Sequence, residues 1–326
     1  MSRLSKALHK NPPKELKNST PVKSAPQQEL KQAVIPPNPP PSEPAPRAIP
    51  TIDISKLDVL SLKSIIDDED RRPEPIRYDA EYTHVSSILD ACPRNLVLMY
   101  RMKQSNSGKQ AFSKSHTGGH KVMWKIGRAI EAHIRETLFK RLGYKHIYGI
   151  WKCDCGNIVE KGTCSDLHCP KCDSKNYNYF EYSIFNEEAK IVGNPDGLLI
   201  YKEKLMPLEI KSMNSKDFDK LEAPVPKHIQ QVLFYRLLLL RNGMPASDVV
   251  RLIYCTKDFK FGSPYKEFIV DATKDPNRLF VEQMFNTSKE IYEHKQNGTL
   301  PERVMCSSCD CTTAKNCNTL VECFSL

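Results

Sequence analysis

One stretch constrains this chain more than any other: Ile-Val-Gly-Asn-Pro-Asp-Gly-Leu-Leu-Ile-Tyr-Lys-Glu-Lys-Leu-Met-Pro-Leu-Glu-Ile-Lys-Ser, residues 191–212. Two apolar runs flank a polar tetrapeptide, which predicts a β-hairpin with strands over Val192–Ile200 and Leu205–Lys211 and a turn at Tyr201–Lys204. Side chains alternate faces along a strand, so Glu209 and Lys211 share one face and Ile210 points into the core. Asp196 stands on the first strand. Two carboxylates and an ammonium brought to one spot suit a hard divalent cation, Mg²⁺ or Mn²⁺, together with a phosphate. Such an ion lowers the pKa of its water and neutralises charge on a scissile phosphate. A neighbouring lysine can orient the attacking water.

The flanking elements fit an α/β chain. Residues 120–141 carry Ile126, Ile130, Ile134 and Leu138 at i+4 spacing, the stripe of an amphipathic helix. Gly127 and Glu131 lie one turn apart on one edge of that stripe, and His133 lies on the other. Pro226 opens a second helix through Leu240, with Gln231 and Tyr235 on a common face. Phe180–Glu188, Val249–Cys255 and Tyr265–Val270 read as strands, and 276–296 as the last helix. Tyr254 and Lys257 fall at the end of one strand, with Lys257 a candidate phosphate contact. Near residue 86, Ser86 or Ser87 can cap a short helix and Pro93 can open the next.

Twelve cysteines in a chain read as cytoplasmic point to metal rather than to disulfides. Cys153, Cys155, Cys169 and Cys172 form two close pairs, as a zinc ribbon requires, with Cys164 or His168 able to replace one of the first pair. The first pair is Cys-x-Cys, so its knuckle departs from the usual spacing. A structural Zn²⁺ is expected there, in an insert spanning 151–178. Cys306, Cys309, Cys311, Cys317 and Cys323 crowd the C-terminal segment, 301–326.

The formal net charge is +9, and residues 1–50 hold 12 of the 24 prolines and no aromatic residue. Such a segment buries too little apolar surface to offset its ordering entropy. It reads as a disordered basic tail over 1–77 that ends in an isoleucine-rich docking segment at 52–66, with the folded domain at 78–325. No apolar run is long enough to span a membrane and no signal peptide is evident, hence the expectation of a cytoplasmic protein.

The order of these features resembles the PD-(D/E)xK nuclease superfamily. Gly127-x-x-x-Glu131, Pro195-Asp196-Gly197, Glu209-Ile210-Lys211 and Gln231-x-x-x-Tyr235 match the motifs of its RecB-like branch. The resemblance implies a restriction-endonuclease-like core, a mixed sheet of about five strands flanked by helices. It implies that Glu131, Asp196 and Glu209 bind the ion, with His133 the lesser candidate at the Glu131 position. It further implies that the Ile210 carbonyl joins them, that Lys211 orients the water, and that Gln231 and Tyr235 help to place DNA.

CRISPR-associated and phage relatives of this branch bracket the domain with an early cysteine and three late ones around a 4Fe–4S cluster. Here that implies Cys92, Cys306, Cys317 and Cys323, with Cys309 or Cys311 as substitutes, or a second Zn²⁺ on the same thiolates. The implied activity is exonucleolytic hydrolysis of DNA with a free end, in phage or prokaryotic recombination, repair or replication. A recombinase, annealing protein or helicase is the implied partner of the N-terminal segment. A site-specific endonuclease and a non-catalytic zinc-ribbon adaptor are the alternative readings.

Overall fold

The computed structural model describes residues 81–89, 92–105, 118–160, 168–258 and 262–306, and beyond them 308, 309, 311, 314, 317 and 319–325. The basic tail, its docking segment and Cys164 lie outside the described residues.

At the centre is a five-stranded sheet in the order β11-β10-β9-β8-β2. Its strands are β2 (Ile147–Tyr148), β8 (Gly197–Tyr201), β9 (Lys204–Met213), β10 (Val249–Thr256) and β11 (Tyr265–Asp271). β9 and β10 are parallel and the other pairs antiparallel. The parallel pair needs a crossover, supplied by helix α5 (Pro226–Arg241), with Pro226 in its first turn after the short α4 (Ser215–Asp219).

The two faces of the sheet carry different helices. Leu208 and Ile210 of β9 and Cys255 of β10 pack on Ile134 of α3 (Gly118–Leu142). Leu252 and Tyr254 of β10 face Val232, Phe234 and Leu238 of α5 and Phe285 of α6 (Asn277–Asn297). Glu209 and Lys211 are in register with Leu252 and Tyr254, so they share the α5 face. The architecture is α/β, a mixed sheet between helices.

The predicted hairpin is present, with one change. Its first strand is split: β7 (Ile191–Gly193) joins a small sheet with β1 (Thr83–His84) and β6 (Ile184–Asn186), and β8 begins only at Gly197. Pro195 has no amide to donate and biases its predecessor, so the ladder breaks at Asn194–Asp196. The chain changes sheets at the acidic residue. The turn is tighter than expected, because Lys202 and Glu203 both take left-handed φ, 49° and 62°. That is the conformation of a two-residue hairpin turn.

The strand expected over 180–188 is also two elements. β5 (Tyr177–Phe180) belongs to a third sheet with β3 (Ile150–Cys153) and β4 (Ile158–Glu160), and only then does β6 follow. Neither serine near residue 86 caps a helix: α1 (Val85–Ile88) starts from His84, and both serines lie inside it. α2 (Pro93–Ser105) packs on α6 and on the C-terminal α7 (Leu320–Ser325).

Candidate active site and metal centres

The break at Pro195 places Asp196 against β9, where its Oδ2 accepts the Ile210 amide at 2.6 Å. Glu209 is 2% exposed and its Oε1 pairs with Lys211 Nζ. Its other oxygen is buried and makes no hydrogen bond among the described residues, and neither does the buried Asn194 Oδ1 one residue before Pro195. A buried oxygen left unpaired is costly unless something bonds it.

Burial, opposed by the Lys211 charge, pushes Glu209 up to about 7. Burial and the Glu209 charge push Asp196 well above its ordinary value. Glu131 reaches the same place from α3, on the other face of the sheet. Burial raises it and Lys211 lowers it. These raised values describe acidic groups held close together in a dry site, the condition a divalent cation relieves. Asp196 and Glu209 each give one oxygen to a protein donor, the Ile210 amide and Lys211 Nζ respectively.

His133 is exposed. Two positions along a helix turn it about 200° from Glu131. Of the expected stripe, Ile134 is buried, while Ile126 is 38% exposed. The inward face of α3 is therefore rotated from that stripe toward Gly127, Glu131 and Ile134. At Gly127 a Cβ would stand 2.9 Å from Ser212 Oγ and 3.7 Å from Lys257 Nζ. A side chain there would have to displace the Ser212 hydroxyl at the end of β9. Lys257 Nζ donates to the Met123 carbonyl at 3.3 Å and so lies on the rim between β10 and α3.

Gln231 and Tyr235 are buried, and Gln231 Nε2 donates to the Tyr235 hydroxyl at 2.7 Å. The Tyr235 ring packs so tightly on Gly193 that a Cβ there would come within 2.7 Å of it. Burial and the Glu209 charge raise the Tyr235 hydroxyl. The Tyr235 ring thus backs the strand end just before the Asp196 break, and Gln231 fixes its hydroxyl. Tyr254 is fully buried; its hydroxyl accepts the Val225 amide at 3.1 Å and contacts His228 Nδ1 at 3.0 Å.

Three groups near the site escaped the sequence reading. Arg135 follows Glu131 by one turn and binds Glu181 Oε1 at 2.6 Å. Tyr179 of β5 packs edge-on against Phe139 of α3, ring centroids 4.6 Å apart, with Arg135 over its ring at 5.8 Å. The Arg135 spacing was visible as an i,i+4 partner of Glu131. The contacts to Tyr179 and Glu181 were not, because they cross from the inserted sheet.

That insert carries a cluster of four thiols that could hold a metal ion. The thiols of Cys153, Cys155, Cys169 and Cys172 all lie within 4.8 Å of one another; among the described residues they form the group of ligand atoms so closely spaced. Cys153–Cys172 and Cys155–Cys169 are each 3.5 Å apart. A tetrahedral Zn²⁺ with bonds near 2.3 Å sets its sulfurs about 3.8 Å apart. The irregular first knuckle closes through Gly156, whose amide bonds the Cys153 carbonyl at 2.8 Å and whose φ is 85°. At Cys169 burial pushes the thiol up, but amides of Lys171 and Cys172 and the facing thiols bring it down to about 6. His168 lies outside this group, paired with Asp173 at 3.1 Å.

A second set of cysteines gathers where α2 meets the C-terminal segment. Burial first, then Cys311, Cys92 and Cys317, push the Cys306 thiol up to about 11. Cys317 Sγ lies 3.6 Å from Asn95 Oδ1, one turn after Cys92. Cys311, expected only as a substitute, is thus a neighbour of Cys306. Cys323 is buried within α7 with its carbonyl bound by Arg303 at 2.9 Å, and Cys309 is exposed.

No helix among the described residues is long and apolar enough to cross a membrane. No family model matches this sequence, and no curated protein matches it. Among solved structures the chain is similar to an alkaline exonuclease, LHK-Exo, from Laribacter hongkongensis, at 14% identity and a TM-score of 0.36, covering 67% of this chain and 93% of that one. The same enzyme in complex with dAMP is similar at 15% identity and a TM-score of 0.38, covering 67% and 94%.

Proposed function

We propose that this chain is a Mg²⁺- or Mn²⁺-dependent nuclease that hydrolyses DNA phosphodiester bonds, acting as an exonuclease from a free end. The observation that carries the reading is the Asp196–Glu209–Lys211 cluster, with a fully buried Glu209 oxygen that makes no hydrogen bond among the described residues. Glu131, Asp196, Glu209 and the Ile210 carbonyl are the candidate ligands. Bound there, the cation supplies Lewis acidity and a water of lowered pKa.

The chain's own residues do the rest. Lys211 keeps its proton, turned toward Glu209, and is placed to orient water at the scissile phosphate. Gln231 and Tyr235, joined by their hydrogen bond behind the Asn194–Asp196 break, help to place the DNA. Lys257 offers a cation at the rim for a flanking phosphate. Cys153, Cys155, Cys169 and Cys172 hold a structural Zn²⁺. Cys92, Cys306, Cys317 and Cys323 hold a 4Fe–4S cluster or a second Zn²⁺, with Cys311 or Cys309 as substitutes; the nearness of Cys92, Cys311 and Cys317 to Cys306 supports a shared site and favours Cys311 among the substitutes. A role in phage or prokaryotic recombination, repair or replication follows from this reading. So does a helicase, recombinase or annealing protein docking on the N-terminal segment.

The test is cleavage of linear and closed circular DNA, single- and double-stranded, by anaerobically purified protein in Mg²⁺ or Mn²⁺. The parent should degrade linear DNA and spare closed circles, and Lys211→Ala should lose at least about a hundredfold in rate. Cutting of closed circles would make the protein an endonuclease. No cutting of any DNA, with metal contents intact, would leave a non-catalytic nucleic-acid-binding protein.

A further inference from the structure

Helix α3 outruns the sheet it packs on. Its first turns leave Val122, Met123, Trp124 and Ile126 between 38% and 47% exposed. Trp124 is the notable one. It lies seven positions before Glu131, and seven steps of 100° bring a side chain back to within about 20° of the same face. Trp124 therefore stands on the inward face of the helix, about 10 Å along the axis from the candidate ligand. Gly127, between them, is the point of close contact with Ser212, the residue after Lys211. A tryptophan on that face that is 47% exposed lies outside the buried core, on the stretch of helix leading to Gly127 and Glu131. Exposed Lys125 and Arg128 flank it, and Lys257 is tied to the Met123 carbonyl beneath it.

We propose that Trp124 is a stacking platform for a base of the DNA strand being cut, next to the phosphate held by the acidic site. The inference rests on the nuclease reading. An aromatic face beside a basic rim is the arrangement that holds single-stranded nucleic acid without reading its sequence. A half-exposed ring can keep a neighbour on one side and offer the other. The distance along α3 is that of one or two nucleotides, so the same helix grips the base with Trp124 and the phosphate's cation with Glu131. Stacking at this point fixes which phosphate enters the site.

The chain contains two tryptophans. Trp151 is 1% exposed beneath the ribbon, so its emission is insulated from solvent and ligand. Full-length protein titrated with oligothymidylate in Ca²⁺ should show quenching of the solvent-exposed component. Trp124→Ala should abolish that quenching and weaken binding about tenfold or more, and Trp124→Phe should recover most of the affinity. The dependence of affinity on salt should keep its slope, since no phosphate contact is removed. A fully abasic oligomer of equal length should bind parent and Trp124→Ala alike. Equal binding of the base-bearing oligomer by parent and Trp124→Ala would overturn the proposal. So would parallel loss with the abasic one, or no binding by the parent at all. Binding is read without turnover, so a protein that cuts no DNA can still show the platform, and one that cuts can still lack it.

Discussion

Glu209 is fully buried on the α5 face of β9, and the cost of ionising it there has a direct thermodynamic consequence. Its carboxyl is raised to about 7 in the fold, by burial against the pull of Lys211. The folded state then holds a proton that the unfolded chain has released, from the ordinary carboxylate range up to about pH 7. Over that interval stability must fall as pH rises, by up to about 1.4 kcal/mol per pH unit. Asp196 is raised for the same reason and adds to the fall. Thermal unfolding of the metal-free protein should therefore show a lower midpoint at pH 8 than at pH 5. Glu209→Gln should flatten that dependence and raise the midpoint at pH 8. Added Mn²⁺ should stabilise the parent strongly at pH 8 and little at pH 5. A metal-free midpoint that rises with pH would contradict the buried state of this carboxyl.

At the scale of elements, the inserted sheet is more than an attachment. Its core of Trp151, Cys153, Cys169 and Tyr177 is continuous with Phe139 of α3 and Ile147 of β2. Cys153 lies opposite Tyr177 in the ladder, two residues before Tyr179, and Glu181 follows at the strand's exit to bind Arg135. A metal held by the ribbon's thiols would thus stiffen the strand that supports α3 one turn beyond Glu131. Cys169→Ser should lose one equivalent of zinc per chain, red-shift Trp151 emission, and reduce Mg²⁺-dependent cleavage as well. Full cleavage activity in a zinc-free variant would show that the two sites are independent.

The clustering of the ribbon's thiols was legible because thiol spacing is a local pattern. The Arg135–Glu181 pair was not, because two charged residues 46 positions apart carry no local sign of meeting. The central hairpin was legible from its alternation and from Glu209-x-Lys211. Its break was foreshadowed by Pro195, but the departure of β7 to a separate sheet depends on β1 and β6, which only the tertiary fold brings there. The turn at Lys202–Glu203 lacks the Asn-Gly signature, and the short connection forces its left-handed backbone.

At the scale of the whole molecule, the two ends of the described domain are bound to each other. Arg94 donates to the Pro301 carbonyl at 2.9 Å and Thr319 to Asn95 at 2.8 Å, beside Cys92, Cys306, Cys311 and Cys317. A cofactor bridging Cys92 and Cys306 would close a loop of about two hundred residues. A cross-link of that span removes roughly 5 kcal/mol of unfolded-chain entropy. Cys306→Ser and Cys311→Ser should lose the cluster's visible absorption and unfold at markedly lower temperature, whereas the exposed Cys309 should tolerate serine with iron content unchanged. Loss of iron in Cys309→Ser and its retention in Cys311→Ser would reverse that assignment.

The way the ribbon is spliced into the chain bears on motion. Only Gly149 separates β2 of the central sheet from β3 of the ribbon, and a Cβ there would come within 2.1 Å of the Tyr179 ring. At the other end three residues join β5 to β6. There is no slack at either seam for the ribbon to swivel. Load applied at its cysteine-bearing tip is carried straight through Tyr179 and Phe139 to the helix that holds Glu131, as a strut would carry it.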